Sequence, residues 1–171
     1  MKENIQYTTN FNSPLTNFRK NVKSFVGLVA SLLPFPPILI AILHRMRGVK
    51  INKINKVFFS YDVYLDGIFP EFIEIGEEVY LTRGVKIITH FYPPNAIAGI
   101  LLDGNRTSVG KVVIGDNVFV GVNSIILPGV TIGDNVVIGA GSVVTSSILS
   151  NQIAAGNPCR VIRELKYSHG V

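Results

Sequence analysis

The stretch from Ile114 to Leu149 reads IGDNVF, VGVNSI, ILPGVT, IGDNVV, IGAGSV, VTSSIL when it is divided into blocks of six residues. The first residue of every block is a branched aliphatic one, and the second is glycine in four of the six blocks. Small or β-branched residues fill the fifth position. Because this phase holds over six consecutive blocks, the stretch is an internal repeat with a period of six residues.

A period of six residues predicts a triangular coil of short strands. Each block supplies one extended stretch and one corner, so that three blocks close one coil. The pairs Asp116-Asn117 and Asp134-Asn135 fall at corners, where Asp, Asn and Gly adopt tight turns at low cost. The first residue of each block points inward and stacks on its equivalents in neighbouring coils. The sequence therefore predicts a mainly β solenoid, a parallel β-helix with a continuous aliphatic core.

A second series of apolar residues extends the repeat towards the N-terminus. Its members are Val57, Val63, Phe69, Ile75, Leu81 and Ile87. Ile87 and Ile114 are not separated by a whole number of blocks, so the chain must leave the prism and return. If the coil continues through blocks 87–92 and 108–113, residues 93–107 form an excursion loop, and their prolines and glycines suit one. Long loops on regular scaffolds often carry function.

The segment 14–47 is predicted to form two short apolar helices separated by the prolines of residues 34–37. Its basic residues are Arg19, Lys20, Lys23, Arg45 and Arg47, which we expect to fringe the helices. The prolines oppose a continuous membrane-spanning helix in the apolar run 25–43. Two interpretations stay open: a cap on the prism or a neighbouring subunit, or a peripheral membrane contact. We expect a helical extension over 1–50, the β-helix over 51–165 and a tail over 166–171.

Composition limits the partners and the compartment. The net charge of +5 and the pI near 9.4 favour anionic partners without choosing among them, and we expect no nucleic acid. Cys159 is the single cysteine, which excludes an intramolecular disulfide. A reducing compartment is the simplest interpretation. We therefore expect a cytoplasmic protein, with the inner face of the membrane as the alternative location.

Residues 57–165 resemble the hexapeptide-repeat acyltransferases. The most specific segments are ILPGVTIGDN at 126–135, IGAGSVVT at 138–145 and AGNPCRVIR at 155–163. They are similar to the galactoside and maltose acetyltransferases and to capsule and exopolysaccharide O-acetyltransferases. The resemblance implies a left-handed β-helix and a homotrimer with acetyl-CoA in the groove between neighbouring prisms. It also implies an acceptor hydroxyl at a histidine near the excursion loop, and no metal.

Carried over residue by residue, the resemblance implies a coenzyme site. Its members are Val122, Ala140, Thr145, Ser146, Arg160 and Arg163. The pair Thr145-Ser146 matches a Thr-Lys pair in relatives, so the phosphate contact of that lysine is missing here. The guanidinium groups of Arg160 and Arg163 suit phosphate oxygens because they present forked donors with a permanent charge.

Acetyl transfer to an alcohol needs a base that removes the hydroxyl proton. The chain has three histidines: His44 in the apolar segment, His169 in the tail, and His90 beside the excursion loop. The position of His90 and the family pattern favour it as the general base, since an imidazole suits this task near neutral pH. Its orienting partner is either Glu71, which a strict period places one coil away, or a backbone carbonyl.

Several neighbouring residues admit more than one role. Tyr92, with Phe91, either stacks on a sugar ring or anchors the loop, and Asp103 is a candidate for holding the hydroxyls of the acceptor. We interpret Cys159 as structural. The acceptor is a sugar or, alternatively, serine, an amino sugar or an antibiotic.

Two other classes of protein use a similar repeat. A zinc enzyme of the carbonic-anhydrase-like group needs three histidines, and only His90 lies in the repeat. A purely structural solenoid would need neither the excursion loop nor the Gly-Asn-Pro-Cys-Arg ending. The sequence therefore favours an acetyl-CoA-dependent O-acetyltransferase.

Overall fold

The computed structural model describes residues 5–8, 14–32, 36–94 and 107–165. Two helices lie between the first strand and the second: α1 (Pro14–Leu32) and α2 (Pro37–Met46). The strands are β1 (Ile5–Thr8), β2 (Lys50–Ile51), β3 (Val57–Phe59), β4 (Tyr64–Leu65), β5 (Ile73–Ile75), β6 (Val79–Leu81), β7 (Lys86–Ile87), β8 (His90–Phe91), β9 (Thr107–Gly110), β10 (Val112–Ile114), β11 (Val118–Val120), β12 (Ile125–Ile126), β13 (Thr131–Ile132), β14 (Val136–Ile138), β15 (Val143–Val144), β16 (Gln152–Ala155) and β17 (Arg160–Glu164). Short 3₁₀ turns span Ile54–Lys56 and Pro70–Phe72.

Three parallel sheets form the three faces of the prism. The first contains β2, β5, β10 and β13, and the third contains β4, β7, β12 and β15. The second contains β3, β6, β11, β14 and β16, and β17 closes it by pairing antiparallel with β16. Because the chain visits the three sheets in turn, the molecule is a parallel β-helix, as the repeat predicts.

The first residue of each block fills the interior of the prism. These residues are at most 1 % exposed from Ile114 onwards: Ile114, Val120, Ile126, Ile132, Ile138 and Val144. Burying each such side chain contributes roughly 1.5–3 kcal/mol relative to leaving it in water. The glycine at the second position follows from the same stacking. A Cβ on Gly121 would lie 2.5 Å from the backbone nitrogen of Ala140 in the next coil.

The coils differ in length between the two halves of the prism. In the second half, Ile114 pairs with Ile132, the residue that begins the third block after its own. In the first half, Leu65 pairs with Ile87, which lies further along the chain than three blocks reach. The strict period predicted for residues 57–87 is therefore wrong. Phe69, which that period places on a strand, instead directly precedes the 3₁₀ turn, although its side chain is buried.

The excursion is longer than predicted. Ile87 pairs with Ile126, and the number of residues between them is more than twice that of a regular coil. The excursion therefore contains more residues than a whole coil. Block 108–113 does not continue the coil from block 87–92 as predicted, because β8 and β9 pair antiparallel with each other. β1 pairs with the other edge of β9, which makes a three-stranded sheet beside the prism. The predicted loop 93–107 lies mostly in residues 95–106, outside the described residues.

The N-terminal segment forms two helices, as predicted. α2 packs on the beginning of the coil, where Ile40, Ala41 and His44 are buried and the ring of His44 lies 5.5 Å from that of Phe59. Arg47 is only 3 % exposed, so its prediction as part of a surface fringe is wrong. Across the described part of the chain, none of the helices has the length and the apolar character that crossing a membrane requires.

Candidate active site

His90 lies where the chain leaves the third sheet. Strand β7 ends at Ile87, and the backbone then departs from the prism through β8, which begins at His90. The imidazole Nδ1 lies 2.6 Å from Oδ2 of Asp66, a distance that indicates a strong, charge-assisted hydrogen bond. Asp66 directly follows β4, the strand that pairs with β7 in the neighbouring coil. The prism therefore holds both side chains at one corner.

The turn after β4 holds the carboxylate of Asp66. Its Oδ1 accepts hydrogen bonds from the backbone N–H groups of Ile68 at 2.8 Å and Phe69 at 3.1 Å. Its Oδ2 accepts a third from the N–H of Thr89 at 2.9 Å, in addition to the contact with His90. Asp66 is fully buried, so these donors replace the water that its charge loses.

The electrostatics of Asp66 determine the tautomer of His90. Burial alone would raise the pKa of Asp66, but the hydrogen bonds from His90, Thr89 and Ile68 outweigh it and hold that pKa well below its usual range. Asp66 is therefore ionised and only accepts hydrogen bonds, so the proton lies on Nδ1 of His90. The lone pair of Nε2 is then available to take a proton from a substrate.

Two aromatic rings flank the imidazole. The ring centroid of Phe69 lies 5.4 Å from that of His90, and the centroid of Tyr92 lies 5.2 Å away, both in edge-to-face arrangements. The ammonium group of Lys20 on α1 lies over the ring of Phe69, 5.4 Å from its centroid. Tyr92 is half exposed and in contact with His90, and both of its predicted roles stay predictions.

Glu71 is not the orienting partner of His90, and neither is a backbone carbonyl. The Glu71 carboxylate forms an ion pair with Lys23 of α1, with Oε2 and Nζ 2.9 Å apart. The prediction is wrong because it assumes three blocks in every coil, whereas the coil that joins β4 to β7 is longer. The sequence does contain a signal for Asp66. Asp66-Gly67 directly follows an inward-pointing leucine, and such a pair is typical of a turn stabilised by the aspartate side chain.

Three of the predicted coenzyme residues lie at one edge of the prism. Val122 and Ala140 occupy the corner between the second and third sheets in successive coils, where the N–H of Gly141 donates to the carbonyl of Val122 at 2.8 Å. Arg160 begins β17 at the same corner, because β17 pairs antiparallel with β16. Arg163 lies further along β17, and both arginine side chains are exposed.

Thr145 and Ser146 lie at a different edge. They follow β15, at the corner between the third and first sheets, and this is the corner from which the excursion with His90 departs. The strands of the third sheet separate this edge from that of Val122 and Ala140 by roughly 15 Å, the length of about five extended residues. Within one chain, the predicted coenzyme residues therefore lie at two edges of the prism.

The remaining candidates are less informative. His44 is no alternative base, because burial, assisted by the charge of Arg47, lowers its pKa to about 3. Cys159 is buried and burial raises the pKa of its thiol, so it is a poor nucleophile. Asp103 and His169 lie outside the described residues. Within the described ranges, no three His, Cys, Asp or Glu side chains come together as a metal site.

Comparison with known proteins identifies the family. The family model for the hexapeptide repeat of succinyl-transferase matches residues 111–146. Protein CapG of Staphylococcus aureus is 43 % identical over 126 residues, which cover 71 % of this chain and 69 % of CapG. The galactoside O-acetyltransferase of Escherichia coli is 63 % identical over 93 residues, 54 % of this chain and 44 % of that protein.

A solved structure extends the likeness over nearly the whole chain. The maltose O-acetyltransferase of Clostridium difficile is 31 % identical and superposes with a TM-score of 0.63, covering 91 % of this chain and 90 % of that one. The coil described above is thus the left-handed β-helix of these enzymes. The chain belongs to the hexapeptide-repeat acetyltransferases, and it is an acetyltransferase of the galactoside and maltose O-acetyltransferase type.

Proposed function

We propose that this enzyme transfers the acetyl group of acetyl-CoA directly to a hydroxyl of a sugar or glycan precursor, with His90 as the general base. The observation that carries the proposal is the hydrogen bond between Nδ1 of His90 and the buried carboxylate of Asp66. A carboxylate in this position fixes the tautomer of the imidazole and stabilises the imidazolium that forms during transfer. Phe69 and Tyr92 hold the ring from the sides.

The reaction needs one proton relay. Nε2 of His90 takes the proton of the acceptor hydroxyl while the oxygen bonds to the thioester carbonyl carbon. The carbon–sulfur bond then breaks, and the thiolate of CoA takes the proton from the imidazolium. No covalent acyl-enzyme forms, so the buried thiol of Cys159 has no part in the reaction.

The placement of the coenzyme residues supports a homotrimer. The edge with Val122 and Ala140 and the edge with His90 lie on opposite sides of the third sheet of one chain. If the first edge of one copy meets the second edge of the next, both contribute to one groove. Acetyl-CoA would then lie along that groove, with its thioester near His90 and its phosphates near Arg160 and Arg163.

Exposed aromatic residues on the second sheet also favour association between copies. The half-exposed side chains of Phe58, Tyr80 and Phe119 form a ladder across β3, β6 and β11, and the rings of Phe58 and Tyr80 stack at 5.9 Å. A contiguous apolar strip of this kind is typical of a surface that another protein covers. A second copy of this chain is the simplest occupant.

A membrane contact through residues 14–47 is also part of the proposal. α1 exposes Phe18, Phe25 and Leu28, and α2 exposes Met46, beside the basic residue Arg45. An apolar helix face with a basic border is typical of helices that lie on anionic lipid. It would place the active site near a lipid-linked glycan. Phe18→Ser with Phe25→Ser should abolish binding to anionic vesicles at low salt, and full-length protein that ignores such vesicles would remove this part of the proposal.

The test of the proposed reaction is a screen of acceptors. Acetyl-CoA is incubated with monosaccharides, alkyl glycosides, serine, amino sugars and hydroxyl-bearing antibiotics, and released CoA thiol is measured. We expect glycosides to react fastest and His90→Ala to lower kcat about 10²–10⁴-fold with little change in acetyl-CoA affinity. His169→Ala is the matched control. If His90→Ala kept more than about a third of wild-type turnover, His90 would not be the base.

A further inference from the structure

Arg47 is a buried cation at the end of α2, and acetyl transfer as proposed above does not use it. Its side chain is 3 % exposed. Burial lowers the pKa of its guanidinium to about 10, although the nearby Tyr64, Asp66 and Glu71 partly oppose this shift. The group is therefore still charged at neutral pH. Burying a charge is costly unless hydrogen bonds compensate for lost water, so the partners of Arg47 indicate what it does.

The guanidinium joins three segments that are distant in sequence. Its Nη2 donates to the backbone carbonyls of Leu65 and Asp66, in the turn that carries the Asp66 carboxylate. Its Nη1 donates to the carbonyl of Lys23 on α1 at 3.3 Å. One side chain, directly after the end of α2, therefore holds α1 and the turn after β4 at the same point.

Gly27 makes room for this contact. A Cβ on Gly27 would lie 1.6 Å from Nη1 of Arg47, so any other residue would displace the guanidinium. Glycine in the middle of a helix costs about 0.5–1 kcal/mol relative to alanine. The close approach of Arg47 explains why a glycine lies within α1. This steric observation is separate from the hydrogen bonds that Arg47 makes.

We propose that Arg47 is a positioning residue for proton transfer at His90, acting through the main chain of Asp66. The guanidinium holds the carbonyl of Asp66, and the carboxylate of the same residue holds Nδ1 of His90. The two N-terminal helices are then part of the catalytic apparatus as well as a cover for the coil. This inference rests on the proposed role of His90 as base, but it does not depend on the identity of the acceptor.

The experiment measures the hydrogen bond and the rate separately. The downfield proton resonance of Nδ1 of His90, assigned by its absence in His90→Ala, reports whether Asp66 holds the imidazole. Turnover is measured with acetyl-CoA and the acceptor that releases thiol fastest in the screen. In Arg47→Gln we expect the resonance to broaden or disappear and kcat to fall about 10–10²-fold, as a small misplacement of a catalytic group produces. The KM for acetyl-CoA should stay within about twofold, because the coenzyme residues are untouched.

Three further variants make the test independent of folding defects. Arg47→Lys keeps the charge but lacks the fork that contacts two carbonyls, so it should lie between wild type and Arg47→Gln. Gly27→Ala should raise helix propensity and yet lower kcat, because its methyl group displaces the guanidinium. Gly27→Ala combined with Arg47→Gln should be no slower than Arg47→Gln alone, since the two changes act through the same contact.

The possible results separate this inference from the proposed function. If Arg47→Gln and Gly27→Ala lower the melting temperature but leave the Nδ1 resonance and kcat unchanged, Arg47 is only structural and the inference is wrong. The role of His90 would then stand, provided that His90→Ala is inactive. If His90→Ala is active instead, the proposed base is wrong and Arg47 positions no proton transfer. If Arg47→Gln does not fold, Gly27→Ala and Arg47→Lys decide by the same two measurements.

Discussion

The two halves of the prism differ in regularity and in what they carry. From Val112 to Val144 three blocks make each coil, and Asn117 and Asn135 stack at one corner through a side-chain hydrogen bond of 2.9 Å. Between Lys50 and Ile87 every coil is longer than three blocks. This half contains Asp66 and Phe69, and the chain leaves the prism at His90 directly after it. The repeat thus builds the scaffold, and the departures from it bring the reactive groups together.

Two aspartates offer the sharpest test of this difference. Asp66 in the irregular half and Asp134 in the regular half both accept backbone N–H groups, and Asp134 Oδ1 accepts that of Asp116 at 2.8 Å. Asp66→Asn should lower kcat about 10²–10⁴-fold, because an amide donor opposite Nδ1 favours the wrong tautomer of His90. Asp134→Asn should leave kcat within about twofold, since exposed surface changes are usually small. Equal losses of kcat in the two variants would contradict the division into scaffold and site.

The sequence predicted the scaffold well because the scaffold is periodic. Inward residues such as Ile132 and Ile138 recur at a fixed phase, and the period alone implies three faces. The site could not be predicted in the same way. Asp66 contacts His90 because the corner after β4 contains extra residues, and no periodic rule states where such residues leave the coil. The burial of Arg47 had no signal, because an arginine at the end of an apolar helix is usually exposed.

Core substitutions should separate stability from catalysis. Ile138→Ala removes a fully buried side chain from the regular half and should lower the free energy of unfolding by about 2–5 kcal/mol. Strand β14 belongs to a different sheet and a different coil from the turn after β4. The kcat of the folded fraction should therefore stay close to that of wild type. Leu65→Ala, next to Asp66, should lower both quantities. Denaturant unfolding and turnover corrected for folded enzyme measure them. A kcat loss in Ile138→Ala as large as that in Leu65→Ala would mean that the halves are not separable.

Acid stability should depend on the irregular half. The pKa of Asp66 is lower in the folded protein than in the unfolded chain, so the folded state binds fewer protons there. Asp66 therefore adds stability above the unfolded pKa of about 3.9, and this contribution is lost as the pH falls towards the folded pKa. Asp66→Asn should accordingly lose stability less steeply than wild type below about pH 4. Ile138→Ala, the control, should lower the whole curve without changing its slope. Parallel curves for wild type and Asp66→Asn would show that the carboxylate is not held as described.

The smallest expected effect lies at the C-terminal end of the regular half, where the scaffold would meet the coenzyme. Arg160 and Arg163 are exposed on β17, which begins at the corner shared with Ala140, and Nη1 of Arg160 donates to the carbonyl of Cys159 at 2.8 Å. Replacing both arginines with alanine should weaken acetyl-CoA binding by about tenfold, since an exposed ion pair contributes about 0.2–1 kcal/mol and two such pairs would be lost. The loss should be smaller for the analogue that lacks the 3′-phosphate, and kcat at saturating donor should not change.

The control for long-range electrostatic attraction is Lys50→Ala with Lys53→Ala. It removes as much positive charge as the double arginine variant, but at the N-terminal end of the prism. Calorimetric titration with both donors measures the binding constants, and the control should bind acetyl-CoA almost as wild type does. If the arginine variant lost the same affinity for both donors, the two arginines would act on another part of the coenzyme. If the lysine variant lost as much as the arginine variant, net charge and not the position of β17 would govern binding. The regular half would then supply only the scaffold, and the phosphates would be held elsewhere.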